Sequence, residues 1–208
     1  MFPNITDNVR DAIRLRVQLR PLLYSLFVDA HLKGYPVVRP LLFHYQEQEI
    51  LMKESFNFMF GRNLLVVPVI DKDSTFASVL LPQNETWFDM DLERVYERHS
   101  TETKIEFSRR KKFFIPLLLR QGGFFVLSGS SFSSESHTSS SERVFYVAPF
   151  LDLQRQEWSY WEEKDKKIIL KRNQATYHLS ETEIFSKIKV IEIVCLEGKY
   201  FEKEINLF

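Results

Sequence analysis

The chain has 208 residues, of which 44% are hydrophobic and 14% aromatic, and its 28 basic residues equal its 28 acidic ones. This length and apolar content suffice for one sizeable core or two small ones. The zero net charge argues against electrostatic attraction to nucleic acid or an anionic membrane, and no apolar run reaches the roughly 18 residues of a membrane span. One cysteine, Cys195, allows neither a disulfide framework nor a cysteine-based zinc site.

The first predicted element is one long helix that ends near Lys33. The Thr6-Asp7-Asn8 triplet offers capping side chains for its first turn, and Gly34 fits a left-handed stop after its last turn. Pro21 lacks an amide hydrogen and predicts a kink. Apolar residues recur at three- and four-residue steps, namely Ile13, Leu19, Leu22, Leu23, Leu26, Phe27 and Ala30.

Strand patterns follow the helix. Pro36–Phe43 is short and almost uniformly apolar, which predicts a strand buried on both faces and carrying Arg39. Short apolar segments between turn residues then indicate an antiparallel sandwich. Its predicted strands are Asn63–Ile70, Ala77–Leu81, Lys104–Phe107, Phe113–Leu119 and Gly123–Leu127.

Ser128–Arg143 contains nine serines and predicts a polar loop or linker, because such a composition cannot pack a core. A second, smaller group of strands follows it. These predicted strands are Val144–Ala148, Lys167–Lys171, Ala175–Leu179, Lys187–Leu196 and Tyr200–Ile205.

Several motifs follow one another over the first 125 residues. They are IRLRVQLRPLLYSLF at 13–27, AHLKGYPVVRPLLF at 30–43, FMFG at 58–61, LLVVPV at 64–69, VLLP and WFD within 79–89, and IP and RQGG within 115–123. In this order they resemble the end of the catalytic barrel and the region after it in glycoside hydrolase family 31, the α-glucosidases and their relatives.

The chain also departs from the family pattern. Two aspartates usually precede the FMFG-like motif, and Ser55 and Phe56 occupy those positions here. Gln121 separates the arginine from the glycine pair that follows it. Beyond Ser128 the resemblance is weak, and at the family's paired aspartates this chain has Glu162-Glu163.

Together the patterns and the resemblance imply a mainly β chain in four parts. Residues 1–43 are expected to form the terminal helix–strand unit of a (β/α)8 barrel, and residues 44–127 the antiparallel proximal C-terminal β-sandwich. Residues 128–143 are expected to form the linker, and residues 144–208 a smaller, divergent distal β-module.

The mechanism implied by the family is retaining hydrolysis of an α-glycosidic bond by two carboxyl groups about 5 Å apart. In the family both are aspartates on earlier barrel strands, and no position of this chain corresponds to them. We therefore expect no catalytic, cofactor-binding or metal residue and no cofactor in this chain. We expect a structural, inactive C-terminal fragment of an α-glucosidase; the alternative is a stand-alone carbohydrate-binding or protein-interaction module.

Individual polar residues favour structural interpretations. Arg39 is the best polar candidate, and we favour a buried arginine that ties its strand to a neighbouring loop. His31 suggests a capping or packing role, and Asp89 a turn or strand-end role. Arg109–Lys112 suggests a solvated hairpin turn. The adjacent Glu162-Glu163 would point to opposite faces of a strand and could not form a facing pair.

The expected partner is an α-linked glucosyl oligosaccharide or N-glycan, bound by the parent enzyme. The spacing of Trp87-Phe88-Asp89 and Tyr96 is closer to the glucosidase II subgroup, which implies the endoplasmic reticulum lumen or another secretory compartment. Asn4-Ile5-Thr6 and Asn84-Glu85-Thr86 fit the N-glycosylation pattern. The helix stripe predicts self-association through Leu19, Leu22, Leu23, Leu26 and Phe27.

Overall fold

A computed structural model describes residues 5–72, 74–91, 93–97, 102–106, 115–129, 142–162, 166–180, 185, 187–196 and 199–207. Most of the predicted serine-rich linker and the basic run Arg109–Lys112 lie outside these residues. Within the described part of the chain, no helix is long and apolar enough to cross a membrane.

Two helices stand where the sequence predicted one. Helix α1 spans Thr6–Gln18 and α2 spans Arg20–Lys33, so the predicted kink is a full break at Leu19. Pro21 lies in the first turn of α2, where its missing amide hydrogen costs least. The predicted N-terminal cap is wrong, because Ile5 holds that position without a side-chain hydrogen bond. The predicted stop is confirmed, since Gly34 ends α2 at φ 71°.

The prediction of a mainly β chain is confirmed. The strands among the described residues are β1 (Val38–Pro40), β2 (Phe58–Phe60), β3 (Leu64–Val66), β4 (Phe76–Leu80), β5 (Thr86–Asp89), β6 (Arg94–Glu97), β7 (Glu102–Glu106), β8 (Leu117–Arg120), β9 (Phe124–Ser128), β10 (Glu142–Val147), β11 (Arg155–Glu162), β12 (Lys166–Asn173), β13 (Thr176–Leu179), β14 (Lys187–Leu196) and β15 (Lys199–Asn206). Single 3-10 turns occupy Leu41–Phe43 and Glu49–Lys53.

The strand predicted within Pro36–Phe43 is shorter and less buried than expected. Only β1 forms, and it lies at the edge of a sheet, antiparallel to β2. Arg39 is 4% exposed while Val38 is 52% exposed, so burial on both faces is wrong. The apolar run is uniform because its second half leaves the strand and enters a 3-10 turn, where Leu41 is buried.

The strands form four sheets. The largest has the order β1-β2-β3-β8-β5-β6, and all of its neighbours are antiparallel. A four-stranded sheet has the order β15-β14-β10-β9, in which β10 and β14 are parallel. A three-stranded sheet β11-β12-β13 and the pair β4-β7 complete the set.

The sheets stack so that the two larger ones are covered on both faces. The central core lies between them and includes Leu64, Phe88, Phe125 and Ile191. A second core joins the six-stranded sheet to the β4-β7 pair, and a third joins the four-stranded to the three-stranded sheet. Strands on both sides of the serine-rich segment therefore contribute to the same central core. The domain boundaries expected from the sequence stay predictions.

Helix α2 packs against β9 and β11. Leu26 is 8% exposed, and the Ser25 hydroxyl accepts a hydrogen bond from the Trp161 amide at 3.1 Å. Leu15, Leu19 and Leu22 are half-buried against the central core. Both helices therefore have a place on the sandwich, although none of the thirteen residues of α1 is fully buried.

The contact between Leu26 and Gly61 gives a test of this docking. Gly61 and Gly34 have similar φ angles, 69° and 71°. A Cβ at Gly61 would lie 2.6 Å from Leu26 Cδ2, whereas one at Gly34 would meet nothing within 4 Å. We expect G34A to lower the free energy of unfolding by about 1–2 kcal/mol through backbone strain. We expect G61A to cost about 1–3 kcal/mol more through overpacking, measured by chemical denaturation. Equal losses would show that α2 is not held firmly against the sheet.

Candidate functional site

Arg39 is the centre of a buried cluster at the first strand. Its Nε donates to the Pro36 carbonyl at 2.6 Å, and its Nη1 lies 3.3 Å from Nε2 of His44. The guanidinium also lies 5.2 Å from the ring centre of Tyr35 and 5.4 Å from that of Phe43, within the range of cation–π attraction. The favoured interpretation is confirmed, since Arg39 ties β1 to the loop before it.

His44 lies between Arg39 and the backbone of a turn. Its Nε2 is 3.3 Å from the Gly61 carbonyl as well as from the arginine. Burial lowers the pKa of His44, and the positive charge of Arg39 lowers it further, against the opposing effect of the Gly61 carbonyl. The imidazole is therefore neutral at pH 7, and it links β1 to the turn after β2.

The RQGG motif forms the corner between β8 and β9. Arg120 binds Glu85 through two contacts, Nε to Oε2 at 3.0 Å and Nη2 to Oε1 at 2.7 Å. Gly122 has φ 77°, and the Phe150 ring packs so closely that a Cβ there would clash. The Gly122 carbonyl accepts the indole hydrogen of Trp158 at 2.8 Å. The motif therefore joins the sheets to one another.

Two buried ion pairs, which the sequence did not predict, join the four- and three-stranded sheets. In the first, Arg143 on β10 donates to both oxygens of Glu162 on β11, at 2.8 and 2.9 Å. The Tyr160 hydroxyl donates to the same carboxylate at 2.9 Å. Burial and the neighbouring carboxylate raise the pKa of Tyr160, so the phenol keeps its proton and remains a donor. All three residues are buried.

The second pair repeats this arrangement. Arg172 on β12 donates to Glu192 on β14 at 3.0 Å, and the Tyr177 hydroxyl donates to the same oxygen at 2.9 Å. Arg172 also donates to the Leu153 carbonyl at 3.3 Å. The partners of these pairs are 19 and 20 positions apart, so no local sequence pattern relates them. An arginine at an inward-facing position of a predicted strand is only a weak sign of a buried ion pair.

For the other polar residues considered in the sequence, some predicted roles are confirmed and others are not. Asp89 is buried at the end of β5 and accepts the Asp91 amide at 3.1 Å, which confirms a strand-end role. Glu162 points into the core, and Glu163 lies outside the described residues. His31 is exposed in the last turn of α2, so a packing role is wrong, whereas the capping role stays a prediction.

These arrangements are those of a scaffold. Among the described residues, the buried carboxylates are Asp89, Glu162 and Glu192, and each accepts a backbone amide or a guanidinium. No group of three histidine, cysteine, aspartate or glutamate residues in the described part of the chain could hold a metal ion. The polar groups of the interior stabilise the packing of strands.

The buried pairs can be tested against an exposed pair on the same strand. Glu157, also on β11, faces Lys171 at 3.6 Å with both side chains exposed. We expect E162A to lower the free energy of unfolding by about 3–5 kcal/mol, because it leaves Arg143 buried and unpaired. We expect E157A to cost about 0–1 kcal/mol, measured by denaturation of both variants. A small loss for E162A would mean that water reaches Arg143.

Comparison with known proteins agrees with this picture. Residues 34–124 match the family model described as the glycosyl hydrolase family 31 C-terminal domain. A probable glucan 1,3-alpha-glucosidase of Arabidopsis thaliana is 44% identical over 85 residues, 41% of this chain and 9% of that protein. Neutral alpha-glucosidase AB of Mus musculus is 39% identical over 94 residues, 45% of this chain and 10% of that protein. The chain thus spans about a tenth of the length of these relatives.

Solved structures share the fold over nearly the whole chain. The Tris-bound glucosidase II alpha subunit gives a TM-score of 0.73 at 21% sequence identity. The match covers 92% of this chain and 24% of the glucosidase II chain. A glucose-bound dextranase of Flavobacterium johnsoniae gives a TM-score of 0.70 at 17% sequence identity. That match covers 95% of this chain and 31% of the dextranase chain. The matched motifs and the common fold agree, and residues 34–124 of this chain are similar to the C-terminal domain of glycoside hydrolase family 31.

Proposed function

We propose that this chain serves as the structural C-terminal β region of an α-glucosidase-type glycoside hydrolase. The main support for the proposal is that the residues matched to the family domain build the six-stranded sheet, the whole of the second core and one side of the central core. Two arginines among them act within the scaffold, since Arg39 binds the backbone and Arg120 binds Glu85. Such a region supports a neighbouring catalytic domain by presenting a rigid surface to it.

We further propose that the whole protein hydrolyses α-glucosidic bonds with retention of configuration. The relatives named as glucan 1,3-alpha-glucosidase and neutral alpha-glucosidase support this activity. The substrate class is an α-linked glucosyl oligosaccharide, with an N-glycan as the specific form if the parent is like glucosidase II. In that case the endoplasmic reticulum lumen or another secretory compartment would be its location.

The exposed side of the helices fits the proposed role. Ile5 at the N-terminal cap of α1 and Val9 and Ile13 on the helix are each about half exposed at four-residue steps, and on α2 Phe27 is 61% exposed. We propose that residues 1–43 derive from the end of a catalytic barrel and that the rest of the barrel covers this stripe. Removing the apolar stripe from water would be favourable by about 25 cal/mol per Å2.

The alternative function is a stand-alone, non-catalytic carbohydrate-binding or protein-interaction module. The docking of α2 favours it, because the buried Leu26 and the bond from Trp161 to Ser25 attach the helix without any further chain. A binding module would retain titratable affinity for α-linked glucosyl oligosaccharides in isothermal calorimetry. A purely structural region would give no heat with the same sugars.

The first test is catalysis by the chain alone. We expect the purified chain not to turn over an aryl α-glucoside, because two facing carboxyl groups carry most of the rate of this chemistry. The groove of about 430 Å3 beside β4 contains Glu54 and Asp71, so any intrinsic activity would be sought there. Turnover that D71N or E54Q abolishes, while E157Q on β11 preserves it, would refute the structural role.

The second test is self-association of the chain. Of the residues predicted to drive it, Leu26 is buried and only Phe27 is strongly exposed. We expect F27E to shift the chain towards monomer in sedimentation velocity, because a charge at the centre of an apolar contact resists desolvation. F201E is the matched control, since Phe201 is 47% exposed on β15, away from the helices. An equal effect of both variants would contradict association through the helix.

A further inference from the structure

The turn between β4 and β5 carries the triplet Asn84-Glu85-Thr86, which fits the pattern of an N-glycosylation acceptor. Asn84 is exposed and has φ 62°, in the left-handed region that asparagine tolerates better than most residues. Thr86 begins β5 and is half-buried. The acceptor amide is therefore at the tip of a turn, while the hydroxyl that completes the pattern lies at its base.

Neighbouring contacts fix this turn without using Asn84. Gln48 accepts the Gln83 amide at 2.8 Å and donates to the Gln83 carbonyl at 3.4 Å. The Glu85 carboxylate binds Arg120, with its shortest contact at 2.7 Å. The residues on both sides of Asn84 are thus held to the body of the protein. Among the described residues, the Asn84 side chain itself has no hydrogen-bond partner.

From this geometry we propose that Asn84 is the acceptor of an N-linked oligosaccharide. The donor is a lipid diphosphate-linked oligosaccharide. The Asn84 amide nitrogen forms a bond to the anomeric carbon of the terminal sugar, and the bond from that carbon to the phosphate oxygen breaks. The lipid diphosphate leaves with the electron pair, and the amide proton passes to a base. A bulky glycan can then project into solvent, because its root is exposed in the folded chain.

This inference does not rest on the glycosidase role. It requires only that the chain enter the compartment where such donors are used, and it would hold equally for a stand-alone module. It also limits which surface a neighbouring domain can cover, because a glycan at Asn84 would keep the β4–β5 turn exposed to solvent. The exposed stripe of α1 lies on a different element and would remain available for contact.

The experiment uses the full chain carried by a cleavable signal into the secretory pathway of a eukaryotic cell. We expect a mobility shift that peptide-N-glycosidase removes, and a mass increase on the peptide containing Asn84. N84D should abolish both, and its aspartate tolerates the left-handed conformation, which limits any effect on folding. T86A should abolish them as well, whereas T86S should retain them because it keeps the hydroxyl.

N4D provides the second control, since Asn4 begins the other triplet, Asn4-Ile5-Thr6. The melting temperature of each variant shows whether the chain has folded. A folded wild-type chain without sugar at Asn84 would overturn the proposal. Loss of the shift in N4D but not in N84D would overturn it too, because the glycan would then be attached elsewhere.

Discussion

The structure depends on burying both faces of its two central sheets. β3 places Leu64 and Val66 in one core and Leu65 in another, and β10 divides Phe145 and Tyr146 in the same way. A strand covered on both sides has no solvent face on which to place charge. Any ionisable side chain on it must therefore find its partner inside the protein or remain desolvated at a large cost.

This constraint explains the two Arg–Glu–Tyr groups. Arg143 and Glu192 lie on the four-stranded sheet, and Glu162 and Arg172 lie on the sheet that covers it. Each guanidinium meets a carboxylate across the interface, and each carboxylate takes a further hydrogen bond from a tyrosine. A displacement of one sheet by one residue would separate every pair. The pairs thus favour one register, beyond whatever they contribute to net stability.

Sequence patterns predicted most of the long strands but missed the eight-residue β11, Arg155–Glu162, as well as several short strands. β14 has the bounds predicted for it, because its ten residues are rich in isoleucine and valine and contain no glycine or proline. β2, β5 and β6 have only three or four residues each, too few for periodicity to detect them. The buried ion pairs were also out of reach, since nothing local relates Arg143 to Glu162. The family resemblance came from ordered motifs such as FMFG and WFD.

Helix α1 is the element that the fold explains least by itself. None of its residues is fully buried, and helices of about 12–15 residues are marginal in water without packing. Its ion pairs of Arg10 with Asp7 and Arg14 with Asp11 are exposed and contribute only about 0.2–0.5 kcal/mol each. Leu15 and the junction at Leu19 attach its last turn to the core. The first two turns therefore gain most of their stability only when another surface covers Val9 and Ile13, which is the contact that a catalytic domain would provide.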